Sequence, residues 1–477
     1  MIFISYLNHF VRFFSIFLIG YVITLSFFYL LQMIMAILSS PAYIKKSLNF
    51  EYDILGPSVN MIPFSVLVPA YNEESTIVES VKSMLNLDYS NYEVIVINDG
   101  SKDNTFRLVI EAFNLQKIFY PVRGRLSTKH VRDIYHNPDI PRLYFIDKEN
   151  GGKSDALNAG LNLSRYPYIV SVDADSLLQS DALLRIAMVF IQNKHTIAAG
   201  GIIRVVNGCE IKDGKVIKVS HPKRGWALFQ TVEYFRAFLI GRIGWSSLNS
   251  LIIISGAFGA FQKEHVLAVG GYTVGTIGED MELVIKLHRY MRNKNYKYRV
   301  AVLPDPICWT QVPETFNVLY RQRRRWHIGL MDVLWRSRDM FFKRKYGILG
   351  FIILPYYLLF EMLAPIVELL GHLVVPLAWY FGFLSWTALI LFGIASIIFF
   401  VISSIGSLAV EVFINSKHIK VKELIKLTFY SIFENLFYRQ LMVAFRLIGT
   451  LAYHKNKNEW GKMKRQKFSK EEELCVS

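Results

Sequence analysis

Two carboxylates, Asp173 and Asp175, stand one residue apart at the end of the run "YIVSVDADS". At the carboxyl end of a strand such a pair lies on one side and can share a hard divalent cation, which would also bridge a nucleotide diphosphate. Upstream, "VLVPAYNEES" places Pro69, Tyr71, Asn72 and Glu73 just before a helix, a polar aromatic turn suited to seat a nucleobase. "VINDGSKDNT" brings Asp99, Gly100 and Ser101 to another strand end. An acid there can accept from a base imide or a ribose hydroxyl, although Asp-Gly-Ser is also a common turn. In "ENGGKSDALNAG" the GGKS is reminiscent of a phosphate loop, but the Walker spacing needs glycine where this chain has Asp147. A glycine turn entering a helix is left, with Lys153 at its start and backbone N–H groups able to face a phosphate. Successive strands each end in a suitable group, which chance explains poorly.

Farther along, "IIISGAFGAF" holds a small-residue turn, Ser255 to Ala257, and "GEDMELVIKLHRY" opens on Gly278, Glu279 and Asp280. Acidic residues at a helix N-terminus meet the macrodipole favourably, and a general base can occupy the same place. "YRQRRRW", residues 320 to 326, packs four arginines and a tryptophan into seven positions. It reads either as a positive collar for a membrane helix or as part of an active site.

The elements that must position these groups divide the chain of 477 residues into apolar ends and a polar middle. An apolar fraction of 52%, 14% aromatics and a positive mean hydropathy exceed what an ordinary soluble protein carries. The net charge of +16 gathers at the edges of apolar segments, which favours membrane orientation over a nucleic-acid role. Cys209, Cys308 and Cys475 have no metal-ligand spacing and read as reduced thiols. Phe13 to Leu38 carries no charge and is long enough for one tilted membrane helix, too long for a cleavable signal peptide. Between Lys45 and Tyr346, the runs "FSVLV", "YEVIVI" and "YIVSV" alternate with helical patterns such as Ser75 to Leu85 and Ser180 to Ile191. That alternation predicts an α/β domain with a largely parallel sheet and helices on both faces.

Apolar segments return near Ile348 to Phe381 and Trp386 to Phe413. Glu361 and Glu368 share one helical face of the first, where intramembrane carboxylates face a protein interior or a watery path. A third segment, Ile425 to Tyr453, is interrupted by Glu434, Arg439 and Arg446, and is expected to be re-entrant or interfacial so that the basic tail stays cytoplasmic. Asp332, Arg336, Asp339 and Lys343 form a polar stripe predicting an interfacial helix over 326–346. The expected order is an anchor (1–44), a cytoplasmic domain (45–325), the interfacial helix, transmembrane helices (347–415), a basic loop with the third segment (416–453) and a basic tail (454–477).

Taken in order, "VPAYNEE", "NDGS", "GGKSDALNAG", "DAD", "SGAFGAF", "GED" and "QRRRW" resemble glycosyltransferase family 2, specifically its processive membrane branch of cellulose, hyaluronan, chitin and poly-N-acetylglucosamine synthases. The resemblance implies a GT-A type domain, mostly parallel in its sheet and inserted between transmembrane helices, at the plasma membrane with its catalytic face cytoplasmic. It implies that Pro69, Tyr71, Glu73 and Asp99 hold the donor nucleoside, that Lys153 approaches the donor, and that Asp173 and Asp175 bind the diphosphate with Mg²⁺ or Mn²⁺. Asp280 resembles the catalytic base, with Glu279 beside it. Gln322, Arg325 and Trp326 match the family's Q-x-x-R-W signature and, with Ser255 and Gly256, are assigned to acceptor and diphosphate. Arg321, Arg323 and Arg324 are left as a general positive field.

The family's nucleoside motif is often a double acid; here Asn98 precedes Asp99, and uridine stays the family default. One base and no enzyme nucleophile imply a single displacement that inverts the anomeric centre. The expected partners are a nucleotide-sugar, a growing β-linked polysaccharide, the bilayer and accessory membrane or export subunits, with no nucleic acid. Two other readings compete: transfer of one sugar to a lipid carrier, against which a sugar-stacking Trp326 argues, and a silent scaffold or transporter, against which the intact acids argue.

Overall fold

A computed structural model describes residues 2–48, 61–121, 124–383, 385–415 and 421–453. The expected basic tail, with Cys475, and the start of the basic loop at 416–420 lie outside the described residues. The described residues form two compact units, one from 2–41, Leu228–Ser247 and 319–453, the other from the described residues of Ala42–Ala227 and Leu248–Val318.

The second unit is built on a sheet of β1 (Phe64–Ala70), β2 (Tyr92–Asn98), β3 (Gln116–Ile118), β4 (Val131–His136), β5 (Leu143–Lys148), β6 (Tyr168–Val172), β7 (Ser176–Leu178), β8 (Thr196–Val205), β11 (Phe258–Gln262) and β12 (Arg299–Thr310). β9 (Glu210–Lys212) and β10 (Lys215–Lys218) make a separate hairpin. The sheet order is β3-β4-β5-β2-β1-β6-β11-β8-β12-β7. Its centre, β5-β2-β1-β6, is parallel as the alternation predicts, and β8 and β12 are also parallel to each other. β11 runs antiparallel to both β6 and β8, and β4 to β5. The central strands are buried nearly throughout, the condition of parallel strands covered on both faces, and this is why they read as unbroken apolar runs. One buried exception, Glu93 in β2, accepts from the Ser65 hydroxyl at 2.6 Å and from Arg165 Nε at 2.7 Å.

Parallel strands send their carboxyl ends to one edge, so the loops after β1, β2, β5 and β6 gather there. Two of them are stitched together: Asn72 N–H donates to Ser101 Oγ at 3.1 Å, Lys102 N–H to Asn72 Oδ1 at 2.8 Å, and Glu73 N–H to Thr105 Oγ1 at 2.8 Å. The expected helices appear as α2 (Ile77–Leu85) and α5 (Ala182–Gln192), with α3 (Thr105–Phe113), α4 (Lys153–Leu163) and α6 (Glu279–Asn293). α1 is the N-terminal helix, Ile2–Leu48.

In the helical unit, His9–Ser39 of α1 is the one described helix that is by itself long and apolar enough to cross a bilayer. Leu349–Met362 and Ala364–Tyr380 qualify only as a single span bent by 48°. The bend falls at Pro365, whose ring removes an N–H and clashes with the preceding turn. Trp386–Asn415 is helical throughout, and Val421–Phe433, a π turn at Glu434–Tyr438 and Arg439–Leu451 follow one another. The charges that interrupt these segments are paired. Arg236 grips Glu434 through two bonds of 2.7 and 2.8 Å, Arg439 meets Glu368 at 3.0 Å, and Arg446 meets Glu361 at 3.4 Å.

The interfacial helix expected over 326–346 needs correction. Helix α7 spans Phe316–Arg336 and contains the whole "YRQRRRW" run; beyond it come only single turns, Arg338–Met340 and Arg344–Tyr346. Phe342 takes φ 56°, a left-handed conformation that no right-handed helix can propagate. Asp332 is buried and bonded to Arg336 Nε at 2.9 Å, so the polar stripe stops at the helix end.

Candidate active site

The turn before α4 is held by Asp99. Its Oδ1 accepts Gly151 N–H at 3.0 Å, its Oδ2 accepts Gly152 N–H at 2.8 Å, and the Lys148 ammonium sits 2.6 Å from Oδ1. Lys148 is wholly buried and also 2.6 Å from Asp155 Oδ1. Gly152, at φ 87°, opens the helix. Sequence reading treats Asp99 as a donor ligand; the structure finds its carboxylate engaged in positioning the glycine turn.

That turn delivers Lys153 to the sheet edge, where Nζ lies 2.7 Å from Asp173 Oδ1 and 2.8 Å from Glu279 Oε1. Burial disfavours the ammonium, but the two carboxylates outweigh it and hold the lysine above its usual range, so it is protonated. Glu279 and Asp280 form the first turn of α6, as their sequence position predicts. Asp280 Oδ1 accepts its neighbour Met281 N–H at 2.8 Å, and Oδ2 accepts Gly256 N–H at 3.1 Å. A Cβ on Gly256 would stand 2.7 Å from Lys153 Nζ, so the absent side chain is what allows the lysine to approach. The body of α6 is tied to the segment leading into Ser255. Buried His288 reaches Leu251 O through Nε2 at 2.8 Å and the Tyr298 hydroxyl through Nδ1 at 2.7 Å. Burial pushes its pKa down to about 4, leaving a neutral ring; the Leu251 carbonyl can only accept, which assigns the proton to Nε2.

Lys153, Ser255, Gly256, Glu279 and Asp280 line one open cleft, with Asp173 joined to it through Lys153. Pro69 lies at the end of β1, Tyr71 and Glu73 stand on the loop that follows it at the same edge, and Asp175 is buried in the turn that follows β6. Among the described residues no group of three or more His, Cys, Asp or Glu side chains is arranged to hold a metal unaided. Two carboxylates still fit Mg²⁺ or Mn²⁺, since such an ion takes one or two protein oxygens and completes its shell with water and substrate phosphates. The charge balance favours it: Lys153 is the single cation among the cleft's lining residues, facing Glu279 and Asp280, so an anionic diphosphate enters most favourably with a cation.

Gln322, Arg325 and Trp326 lie on α7 in the helical unit. Gln322 is buried and Trp326 is 42% exposed. Arg323, expected to serve a general field, is instead buried and bonded through both terminal nitrogens to Glu233 at 3.0 and 2.7 Å, its guanidinium 4.4 Å from the centre of the Trp326 ring. It fixes the helix and the tryptophan. Lys148, His288, Tyr272 and the Arg323–Glu233 pair escaped sequence reasoning; a lysine between Asp147 and Glu149 looks like an ordinary solvated charge.

The sequence matches the family model described as glycosyl transferase family 2 over residues 65–231, and that described as glycosyl transferase family group 2 over residues 168–414. A poly-beta-1,6-N-acetyl-D-glucosamine synthase of Staphylococcus aureus strain COL is 34% identical over 305 residues, 63% of this chain and 62% of that protein. The synthase of the same name from Staphylococcus epidermidis is 32% identical over 305 residues, 63% of this chain and 61% of its own. The chain thus spans less than two thirds of the length of these relatives. Among solved structures, a mannosyltransferase from Pyrobaculum calidifontis in complex with GDP-Man and Mn²⁺ superposes with a TM-score of 0.51 at 17% identity, covering 91% of this chain and 99% of that one. The likeness is one of fold.

Proposed function

The chain belongs to glycosyl transferase family group 2, and from that premise we propose that it transfers a sugar from a nucleoside diphosphate donor to a growing β-linked polysaccharide by a single inverting displacement at the cell membrane. N-acetylglucosamine is the proposed sugar, because the polymer named for the staphylococcal relatives is built from it; the proposed donor is its UDP conjugate. The observation that carries the reading is the convergence of Asp280 and Lys153 on one cleft, with Gly256 between them.

Asp280 Oδ2, oriented by Gly256 N–H, takes the proton of the acceptor hydroxyl as that oxygen attacks the anomeric carbon. The bond from the anomeric carbon to the phosphate oxygen breaks, its electron pair leaves with the nucleoside diphosphate, and an α-linked donor yields a β-glycoside. Lys153, protonated and held by Asp173 and Glu279, supplies positive charge to the leaving side. Asp173 and Asp175 would hold Mg²⁺ or Mn²⁺, which when bound neutralises charge on the departing diphosphate. Pro69, Tyr71 and Glu73 are assigned to the nucleoside, with Asp99 acting through the glycine turn. Gln322, Arg325 and Trp326 are assigned to acceptor and diphosphate by their motif. The enzyme is assigned to the bilayer with its cleft facing the cytoplasm and its product passed outward with accessory subunits; the long apolar helix His9–Ser39 supports the membrane part of that assignment.

The test uses the full chain in detergent or nanodiscs with labelled UDP-N-acetylglucosamine and Mg²⁺, with products sized and digested by linkage-specific hydrolases. Long β-linked product is expected, and Asp280→Asn should lower turnover about 10²- to 10⁴-fold. Short lipid-extractable product would replace this reading with single transfer to a lipid carrier. Absence of transfer from any UDP-sugar would leave the scaffold reading.

A further inference from the structure

Tyr272 stands in the wall of the same cleft, and none of the chemistry above uses it. It is buried and lines the cleft together with Ser171 and Lys153. Its backbone is clamped from α4: Asn158 Oδ1 accepts Tyr272 N–H at 2.8 Å, and Asn158 Nδ2 donates to the Tyr272 carbonyl at 2.9 Å. From α6, Lys286 Nζ donates to the Gly271 carbonyl at 2.8 Å and to Thr273 Oγ1 at 3.1 Å, one residue to either side. Gly271, at φ 69°, has to be glycine, because a Cβ there would stand 2.5 Å from Asn158 Oδ1. The position of this one residue is therefore fixed by two side chains and a glycine.

Its polar end is treated differently. The Tyr272 hydroxyl is shielded from water and has no hydrogen-bond partner among the described residues. The Ser171 hydroxyl is close but does not complete a hydrogen bond with it, and the charges it feels are those of Lys153, Glu279 and Asp280, which puts the oxygen on the side of the reacting groups. Burial raises its pKa, so it is a neutral phenol able to donate. A rigidly placed donor with no protein acceptor destabilises the empty protein, and the deficit is removed when a ligand oxygen arrives. In a single displacement the transferred sugar must lie between the leaving diphosphate and the base, which is to say between the groups that surround this hydroxyl.

We propose that Tyr272 is a specificity-determining residue whose hydroxyl donates a hydrogen bond to an oxygen of the sugar being transferred. The inference rests on the reading of the cleft as a nucleotide-sugar site. Tyr272→Phe in the full chain tests it through three measurements: the melting temperature without ligand, the affinity for UDP and for UDP-N-acetylglucosamine with Mg²⁺, and steady-state transfer. The melting temperature should hold or rise, because the unpaired hydroxyl is gone, and UDP affinity should stay at the wild-type value. kcat/KM for UDP-N-acetylglucosamine should fall about tenfold, the worth of one good hydrogen bond. Asn158→Ala gives the contrast, since loosening the clamp should lower melting temperature and kcat/KM together. Unchanged kcat/KM in Tyr272→Phe overturns the proposal, as does an equal loss of UDP and UDP-sugar affinity with a lower melting temperature, which would mark a packing role. Wild-type protein that binds neither ligand would overturn the underlying reading of the cleft, a separate failure visible before any variant is made.

Discussion

Replacing Lys148 by methionine removes a charge that the sequence gives no reason to notice. The ammonium is wholly buried at the end of β5, 2.6 Å from Asp99 Oδ1, 2.6 Å from Asp155 Oδ1 and 2.5 Å from the Glu149 carbonyl. Methionine fills most of the stem's volume, so little cavity forms, but two interior carboxylates lose their cation. Removing one partner of a buried ion pair costs about 3–5 kcal/mol, and here two carboxylates are stranded, which places the loss in the upper part of that range. At about 2–4 °C per kcal/mol for a domain of this size, melting should fall on the order of 10 °C or more. Intrinsic-fluorescence melting of the full chain in detergent measures it. Adding Asp99→Asn to Lys148→Met should restore part of the loss, because one stranded charge is gone. Recovery of this kind separates electrostatics from a methionine that merely fits badly. The same variant should raise the donor KM, since the Gly151–Gly152 turn hangs on Asp99. Lys148→Met melting with the wild type, or a double variant weaker than the single one, would refute the reasoning.

Gly256→Ala brings a methyl group to 2.7 Å from Lys153 Nζ, so the lysine must leave Asp173 or Glu279 and melting temperature and turnover should fall together; wild-type kcat would contradict the role given to that approach. His288 titrates near 4 in the folded chain and near 6.5 when unfolded, so its stabilising contribution is complete above pH 6.5 and is lost as the pH falls to 4, a difference of about 3 kcal/mol. Melting of wild type and His288→Gln between pH 7.5 and 4.5 checks this, and parallel pH profiles would count against it.

The central sheet and the edge that carries the chemistry were legible because both follow from pattern alone. β1, β2 and β6 are apolar runs of β-branched residues, and once they are parallel their carboxyl ends must share an edge. β11 was not legible: "FGAFQ" holds no β-branched residue and is broken by Gly259, which lies close against Ile254 and Phe261. β4, "VRDIYH", is a polar strand near the margin of the sheet, where burial does not impose an apolar pattern. In the site, residue identities could be read but not their partners. Asp173 was legible as an acid at a strand end, whereas its ion pair with Lys153 depends on α4 entering at the angle that Asp99 sets. Tyr272 carried no signal, because an aromatic after two glycines has the look of an ordinary turn.

In the helical unit the same limit applies to spacing and pairing. Glu361 and Glu368 are seven residues apart, and so are Arg439 and Arg446. Each set therefore faces one way on its own helix, which sequence can show. What it cannot show is that the two sets run antiparallel, Glu361 to Arg446 and Glu368 to Arg439, with Glu434 taken by Arg236. Glu434, Arg439 and Arg446 interrupt Ile425 to Tyr453, and they are why that stretch is expected to be re-entrant or interfacial. Each of them meets an opposite charge inside the unit, so the isolated-charge penalty that argues against burial does not apply. The helix Arg439–Leu451 buries Met442, Phe445 and Gly449, and protein partners meet all three of these charges.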